Sequence, residues 1–159
     1  METERIDRVR RAMAARGLTQ MIVCDPQSID YLTGVYVEPF ERLFALCLRA
    51  DGSHVFFLNK LFSVPETPIE KVWFTDTDDS IGMLAQRIQA GEPLGIDKEW
   101  PARFLLPLME RLPGTPCQLA SDCVDSVRAR KDAAEQELMR MNSRLNDEAM
   151  TRAAAYIRE

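Results

Sequence analysis

Histidine is nearly absent from this sequence, because His54 is the only one among 159 residues. A zinc centre built on imidazole groups, or a nucleophile activated by histidine, needs more of this residue than the chain supplies. His54 directly follows the turn residues of the segment "DGSHVFF", where a strand is predicted to begin. We therefore interpret His54 as a strand residue on the solvent side and not as a ligand.

The sequence also lacks paired cysteines and phosphate-binding loops. Its four cysteines form no CxxC motif; they are Cys24, Cys47, Cys117 and Cys123. Their apolar surroundings predict buried, reduced thiols. No glycine-rich phosphate loop occurs, so the sequence does not predict a nucleotide site. No serine elbow occurs either, so it does not predict a serine hydrolase nucleophile.

Excess positive charge and long apolar runs are missing too. The formal net charge is −5, which argues against nucleic acid as a partner because phosphate binding needs a basic face. No apolar run approaches the roughly 20 residues of a membrane helix. The first residues, "METERIDRVRRAM", are charged and amphipathic and lack the apolar core of a secretory signal. We therefore expect a cytoplasmic protein without a membrane partner.

Apolar runs separated by turn residues predict an alternation of helices and strands. A helix is predicted near the start, with Gly17 as its C-terminal cap. Six segments read as strands: "QMIVC", "LFALCLRA", "HVFFLN", "KVWFT", "PLGID" and "CQLAS". The short turn "DGS" implies that the second and third strands pair antiparallel. The pattern predicts an α/β domain with a mixed β-sheet flanked by helices.

Two of the predicted helices carry specific expectations. The helix after the acidic cluster is expected to run to about Ala90, with Ile81 and Ile88 on its apolar face. The helix in "PARFLLPLMERL" contains Pro107, which predicts a kink or a break at that position.

The last stretch, from Asp132 to Glu159, contains no glycine and no proline. Apolar residues recur in it at steps of three or four, which predicts one long C-terminal helix of roughly 40 Å. Its apolar stripe needs a surface to pack on. We expect that the sequence was cut from a longer protein whose other part covered this stripe.

Acidic residues are the candidates for metal chemistry. Asp76, Asp78 and Asp79 precede a predicted helix, where capping explains them better than metal binding. Asp25 ends the first strand, as in a ribonuclease H-like nuclease with two metal ions, but further acids at equivalent strand positions are not evident. The residues alone therefore predict neither a catalytic site nor a metal site.

Three stretches carry a family resemblance. They are "SIDYLTG" from Ser28 to Gly34, "LGIDKEWPARFLLPLMERLPG" from Leu94 to Gly114, and "VRARKDAAEQELMRMNSRLNDEAM" from Val127 to Met150. In this order they resemble the N-terminal domain of the creatinase/prolidase/aminopeptidase P family. The resemblance implies a ribonuclease H-like N-terminal domain over residues 1–131. Residues 132–159 would form the connector and the start of the first helix of a "pita-bread" catalytic domain.

The resemblance also implies an activity for a longer parent protein. In the family's peptidases, two Asp, one His and two Glu of the catalytic domain hold two divalent metal ions, such as Mn, Co or Zn. These ions activate the water that hydrolyses the bond before proline. All five ligand positions would lie beyond Glu159. We therefore expect this chain alone to hold no metal and to be no enzyme, while its parent is a hydrolase acting on proline-containing peptides.

In related dimers, a loop of this domain narrows the active site of the partner subunit. "DPQSIDYLTG" is interpreted as a packing device, with Tyr31 and Leu32 in the core and Gly34 in a backbone conformation that other residues resist. It directs the loop that follows, whose candidate contact residues are Tyr36, Glu38, Phe40 and Arg42. A homodimer is expected for the parent. Two alternatives remain: a creatinase-like C–N hydrolase as parent, and a stand-alone interaction module.

Overall fold

A computed structural model describes the backbone of residues 2–158 and the side chains of residues 4–157. The chain divides into two compact units, residues up to 127 and residues from 128 onward. The helices are α1 (Glu2–Ala15), α2 (Pro26–Thr33), α3 (Ser80–Ala85), α4 (Ala102–Arg111), α5 (Asp122–Ala129) and α6 (Ala133–Arg158). The strands are β1 (Gln20–Val23), β2 (Ala45–Arg49), β3 (Val55–Asn59), β4 (Glu70–Phe74), β5 (Leu94–Ile96) and β6 (Cys117–Leu119).

The six strands form one mixed sheet in the order β4-β3-β2-β1-β5-β6. β2 pairs antiparallel with both β1 and β3, so the predicted hairpin is confirmed. The remaining neighbours, β3 with β4, β1 with β5 and β5 with β6, pair parallel. The predicted fold class, a mixed sheet with flanking helices and a long C-terminal helix, is confirmed.

Both faces of the sheet are covered, because consecutive apolar side chains along the central strands point to opposite faces. Met21 and Val23 of β1 belong to the core that also contains buried side chains of α1, α2 and α5. Ile22 belongs to the second core, on the opposite face, which contains buried side chains of α3 and α4. β1 is therefore buried on both faces, as its continuous apolar run predicts.

The predicted length of α3 was wrong, and so was one of the two outcomes predicted at Pro107, a break in the helix. α3 ends at Ala85 and not near Ala90. Arg87 and Ile88 instead bond to carbonyls three residues back, a tighter turn that still buries Ile88 in the core. The break expected at Pro107 is absent, because α4 continues through it to Arg111. Proline removes a single helical hydrogen bond, and Leu108, fully buried on the sheet, holds the helix in place.

The second unit consists mainly of α6, whose 26 residues confirm the long C-terminal helix. A reciprocal capping box begins it: the Glu135 amide donates to the Asp132 carboxylate, and the Asp132 amide donates to the Glu135 carboxylate, each at 2.9 Å. No helix among the described residues is long and apolar enough to cross a membrane.

Candidate functional site

A cleft of about 450 Å³ opens at the carboxyl end of β1. β1 has an antiparallel neighbour on one side and a parallel neighbour on the other, and open α/β sheets bind ligands at the carboxyl ends of such strands. Aromatic and proline residues make up much of the lining, together with a few charged groups. The lining residues are Cys24, Asp25, Pro26, Gln27, Pro39, Phe40, Arg42, Phe44, Lys98, Glu99, Trp100, Pro101 and Phe104.

One wall of the cleft is the start of α2. Asp25 caps this helix by accepting hydrogen bonds from the Ser28 amide at 3.0 Å and the Ser28 hydroxyl at 2.6 Å. Leu32 is fully buried, as predicted, whereas Tyr31 is only half-buried at the edge of the core. Gly34 ends α2 with a φ of 69°, a left-handed conformation in which glycine is not strained. The packing role predicted for this stretch agrees with these contacts.

Gly34 directs the chain into the segment that reaches β2. Val37 is buried before the bend, and Leu43 is buried after it. Between these two anchors lie residues 38–42, which are exposed or half-buried and which we call the loop tip. At its centre, Phe40 has a side chain that is 77% exposed and a φ of 50°. The loop tip therefore presents an aromatic ring to solvent from a support that is fixed at both ends.

The structure separates the four predicted contact residues into two pairs. Phe40 and Arg42 line the cleft, whereas Tyr36 and Glu38 are not among its lining residues. The Tyr36 hydroxyl donates to the Glu38 carboxylate at 3.2 Å. This hydrogen bond to a carboxylate raises the pKa of Tyr36 above its ordinary value. Substrate or partner contact by any of the four remains a prediction.

Arg42 is held by Asp76, an acid that follows the edge strand β4. Its Nε and Nη2 atoms each donate to Asp76 at 3.0 Å, which makes a bidentate pair. Asp76 also accepts a 2.7 Å hydrogen bond from Asn59, whose side chain is buried at the end of β3. The hydrogen bond from Arg42 is the main reason why the pKa of Asp76 is lowered.

The other two acids of the cluster also have local partners. Asp78 accepts from the amide of Thr75 at 2.6 Å, and Asp79 caps α3 by accepting from Gly82 at 3.0 Å. Asp79 also pairs with Arg111. Among the described side chains, no three of His, Cys, Asp or Glu lie together as a metal site would require. The two divalent ions that the sequence resemblance implies therefore find no matching ligand set among the residues that the structure describes.

Asp97 was not predicted as a site residue, although its carboxylate holds the backbone of two residues that line the cleft. Asp97 is 5% exposed, and its carboxylate accepts from the backbone amides of Cys24 and Asp25 at 3.1 Å each. It also accepts from the Ser121 hydroxyl and the Glu99 amide at 3.2 Å. An acid directly after an apolar strand, as in "LGID", is the available signal, but all of its partners except Glu99 lie far away in sequence.

A second missed residue is Trp100, which is 6% exposed and lines the cleft. Its indole Nε1 has no hydrogen-bond partner among the described residues.

The sequence predicts buried, reduced thiols. All four thiols are free, and those of Cys24, Cys47 and Cys123 are buried. Loss of solvation raises the pKa of Cys47 to about 11, so this thiol stays protonated at neutral pH.

Comparison with known proteins identifies the chain's relatives. The model of the creatinase/prolidase N-terminal domain family matches residues 5–130. The chain belongs to this family. Its sheet, its loop tip and its cleft are therefore features of a creatinase/prolidase N-terminal domain.

Individual relatives agree with this membership. A probable dipeptidase PepE of Mycobacterium tuberculosis (strain ATCC 25618 / H37Rv) is 27% identical over 155 residues, which cover 92% of this chain and 41% of that protein. The prolidase structure from Thermococcus sibiricus has a TM-score of 0.83 at 21% identity, over 96% of this chain and 43% of that one. This creatinase/prolidase N-terminal domain thus spans about two fifths of the length of these relatives.

The same fold occurs as a separate chain. The N-terminal domain of Xaa-Pro dipeptidase from Lactobacillus brevis matches 79% of this chain and 98% of its own, with a TM-score of 0.66 and 18% identity. At that identity the likeness concerns the fold alone. This solved structure shows the same fold in a chain that the match covers almost completely.

Proposed function

We propose that this chain is the non-catalytic N-terminal domain of a Xaa-Pro dipeptidase-type peptidase, whose activity is hydrolysis of the bond before proline. The observation that carries the proposal is the match to a probable dipeptidase over 92% of this chain but only 41% of that relative. The proposed catalytic groups belong to the part of the relative that this chain does not match. Two divalent metal ions, of the Mn, Co or Zn type, would be bound there.

The role proposed for the domain itself is to support dimerisation and to cap the active site of the partner subunit. The exposed Phe40, carried by a loop tip with buried anchors on either side, supports this role. A loop whose backbone is already fixed at both ends loses little conformational freedom when its ring packs against a partner. A cytoplasmic location is also proposed, and the four free thiols support it because reduced cysteines persist in reducing compartments.

The central experiment compares the 159-residue chain with the protein made from its complete reading frame. Both are assayed with Mn²⁺ for hydrolysis of an Xaa-Pro dipeptide, with an Xaa-Ala dipeptide and creatine as control substrates. We expect Xaa-Pro hydrolysis by the longer protein and none by the 159-residue chain. A reading frame that stops at residue 159 would favour the stand-alone module. Hydrolysis of creatine alone would favour the C–N hydrolase.

The capping role is tested in the longer protein by Phe40→Ala. Leu61→Ala is a matched control, because Leu61 is also a large apolar residue and is 70% exposed. We expect Phe40→Ala to raise KM for the Xaa-Pro dipeptide, because a truncated ring no longer narrows the partner's site. Leu61→Ala should leave KM unchanged. Equal kinetics for both variants and the unmodified protein would contradict capping by this loop.

A further inference from the structure

The conformation of the loop tip requires an explanation, because Phe40 is the one non-glycine residue with positive φ among those described. A non-glycine residue stays in this region only where its surroundings determine the backbone. The turn is closed by the Arg42 amide, which donates to the Pro39 carbonyl at 2.9 Å. Holding Arg42 in place therefore holds the backbone that presents Phe40.

Arg42 is held by a chain of contacts that ends in the sheet. Its guanidinium forms two parallel hydrogen bonds to Asp76, and this geometry fixes orientation as well as distance. Asp76 follows β4 and is fixed in turn by the Asn59 amide. Asn59 is 1% exposed, and its side-chain oxygen accepts from the Leu61 amide at 3.0 Å. The parallel pair β3–β4 thus provides a rigid base for the loop tip.

We infer that Asp76 and Asn59 are positioning residues, which act through Arg42 to keep Phe40 in the orientation needed to cap the partner's active site. This inference rests on the proposed function, since it assumes that the loop tip meets that site. Neither Asp76 nor Asn59 belongs to the exposed loop tip itself. Replacing either residue would lower the fraction of molecules in which the loop is ordered before substrate binds. The apparent affinity for substrate would fall in proportion to that fraction.

The first test measures loop order directly in the 159-residue chain. Amide hydrogen exchange over residues 38–42 is compared in the unmodified chain, Asp76→Asn and Arg42→Lys. Arg42→Lys keeps the charge but loses the planar fork, so both variants remove the bidentate pair. We expect exchange in the loop tip to accelerate roughly three- to tenfold in both, with β1 unchanged.

Asp78→Asn is the matched control for this experiment. Asp78 lies two residues from Asp76 in the same turn, and its hydrogen bonds go to the Thr75 amide and hydroxyl. We expect it to leave exchange over residues 38–42 unchanged, and Asp76→Glu to restore protection in part because it keeps a carboxylate. If loop exchange is the same in Asp76→Asn, Arg42→Lys and the unmodified chain, the inference is wrong.

The second test uses the protein from the complete reading frame and separates KM from kcat. Asp76→Asn and Arg42→Lys are expected to raise KM for an Xaa-Pro dipeptide roughly three- to tenfold, with kcat kept within about twofold. Faster loop exchange with unchanged KM would overturn the positioning role. If the protein hydrolyses no Xaa-Pro dipeptide, the proposed function fails, whereas the exchange experiment still decides whether Asp76 orders the loop.

Discussion

At the scale of single residues, the carboxylate of Asp97 joins segments that are distant in the sequence. It accepts hydrogen bonds from amides that follow β1, from the Glu99 amide after β5 and from Ser121 after β6. Three parallel strands are thereby tied together at the end where the cleft opens. A carboxylate with several amide donors is well suited to this place, since buried amides need an acceptor.

Asp97→Ala is therefore expected to lower the free energy of unfolding by roughly 3 kcal/mol or more, because several donors lose their acceptor. Asp125→Ala is the control, because the Asp125 carboxylate forms an ion pair with Lys98 on the surface. We expect this substitution to change the free energy of unfolding by less than about 1 kcal/mol. Urea denaturation of both variants measures the difference. Equal effects would mean that Asp97 has no special structural role.

His54 supplies a pH dependence at the same scale. The structure places it half-buried before β3, where its Nδ1 accepts from the Arg49 amide at 3.1 Å, so the predicted solvent-side position holds only in part. Burial, assisted by the charge of Arg10, lowers the pKa of His54 below its ordinary value of 6.5. The folded state therefore binds the imidazole proton more weakly than the unfolded state.

It follows that the contribution of His54 to stability is complete above pH 6.5 and is lost as the pH falls through the folded-state pKa. His54→Gln offers a hydrogen-bond acceptor that does not titrate in this range. Urea denaturation at about pH 7.5 and about pH 5 should show a smaller loss of stability in the variant than in the unmodified chain. An equal loss in both proteins would show that His54 does not contribute to the pH dependence.

At the scale of elements, β5 packs closely against its neighbours because Gly95 has no side chain. A Cβ added at Gly95 would lie 2.9 Å from the Ala120 Cβ and 3.1 Å from the Met21 Cβ. Gly95→Ala is expected to destabilise the chain by about 1–3 kcal/mol through overpacking. Adding Ala120→Gly should recover part of that loss in thermal or urea denaturation. No recovery in the double variant would show that contact with Ala120 is not the cause.

The elements also show what could be predicted from the sequence. β1, β2 and β3 are continuous buried apolar runs, and the turn between β2 and β3 is short, so both their existence and their hairpin were predictable. The parallel pairing of β3 with β4 was not predicted, because the 60–69 connection carries no periodic pattern. α3 was predicted too long, because Ile88 keeps the helical spacing although the backbone has left the helix.

The candidate site was predictable only in part, for a similar reason. The loop and its four residues followed from the resemblance at "SIDYLTG". The Arg42–Asp76 pair did not, since 34 positions separate the two residues and the sheet alone brings them together. Asp97 lies 73 positions from Cys24 and was missed for the same cause. Contacts of this length depend on strand order, which local patterns do not determine.

At the scale of the whole molecule, α6 behaves as an element that lacks a core of its own. Its apolar side chains recur on one stripe, and Leu138, Met141 and Leu145 are 54%, 47% and 57% exposed. A single helix cannot bury its own stripe, and most helical stability in proteins comes from packing of the apolar face. The protection of the α6 amides against hydrogen exchange therefore depends on what covers that face.

In the 159-residue chain at high dilution, we expect amides of residues 144–157 to exchange at least about tenfold faster than those of β1. Protection in this segment should rise with protein concentration if a second copy covers the stripe. In the protein from the complete reading frame it should be high at every concentration, because the proposed catalytic domain would then pack on the helix. Protection equal to that of β1 in the dilute 159-residue monomer would instead mean that α6 is stable without a covering surface.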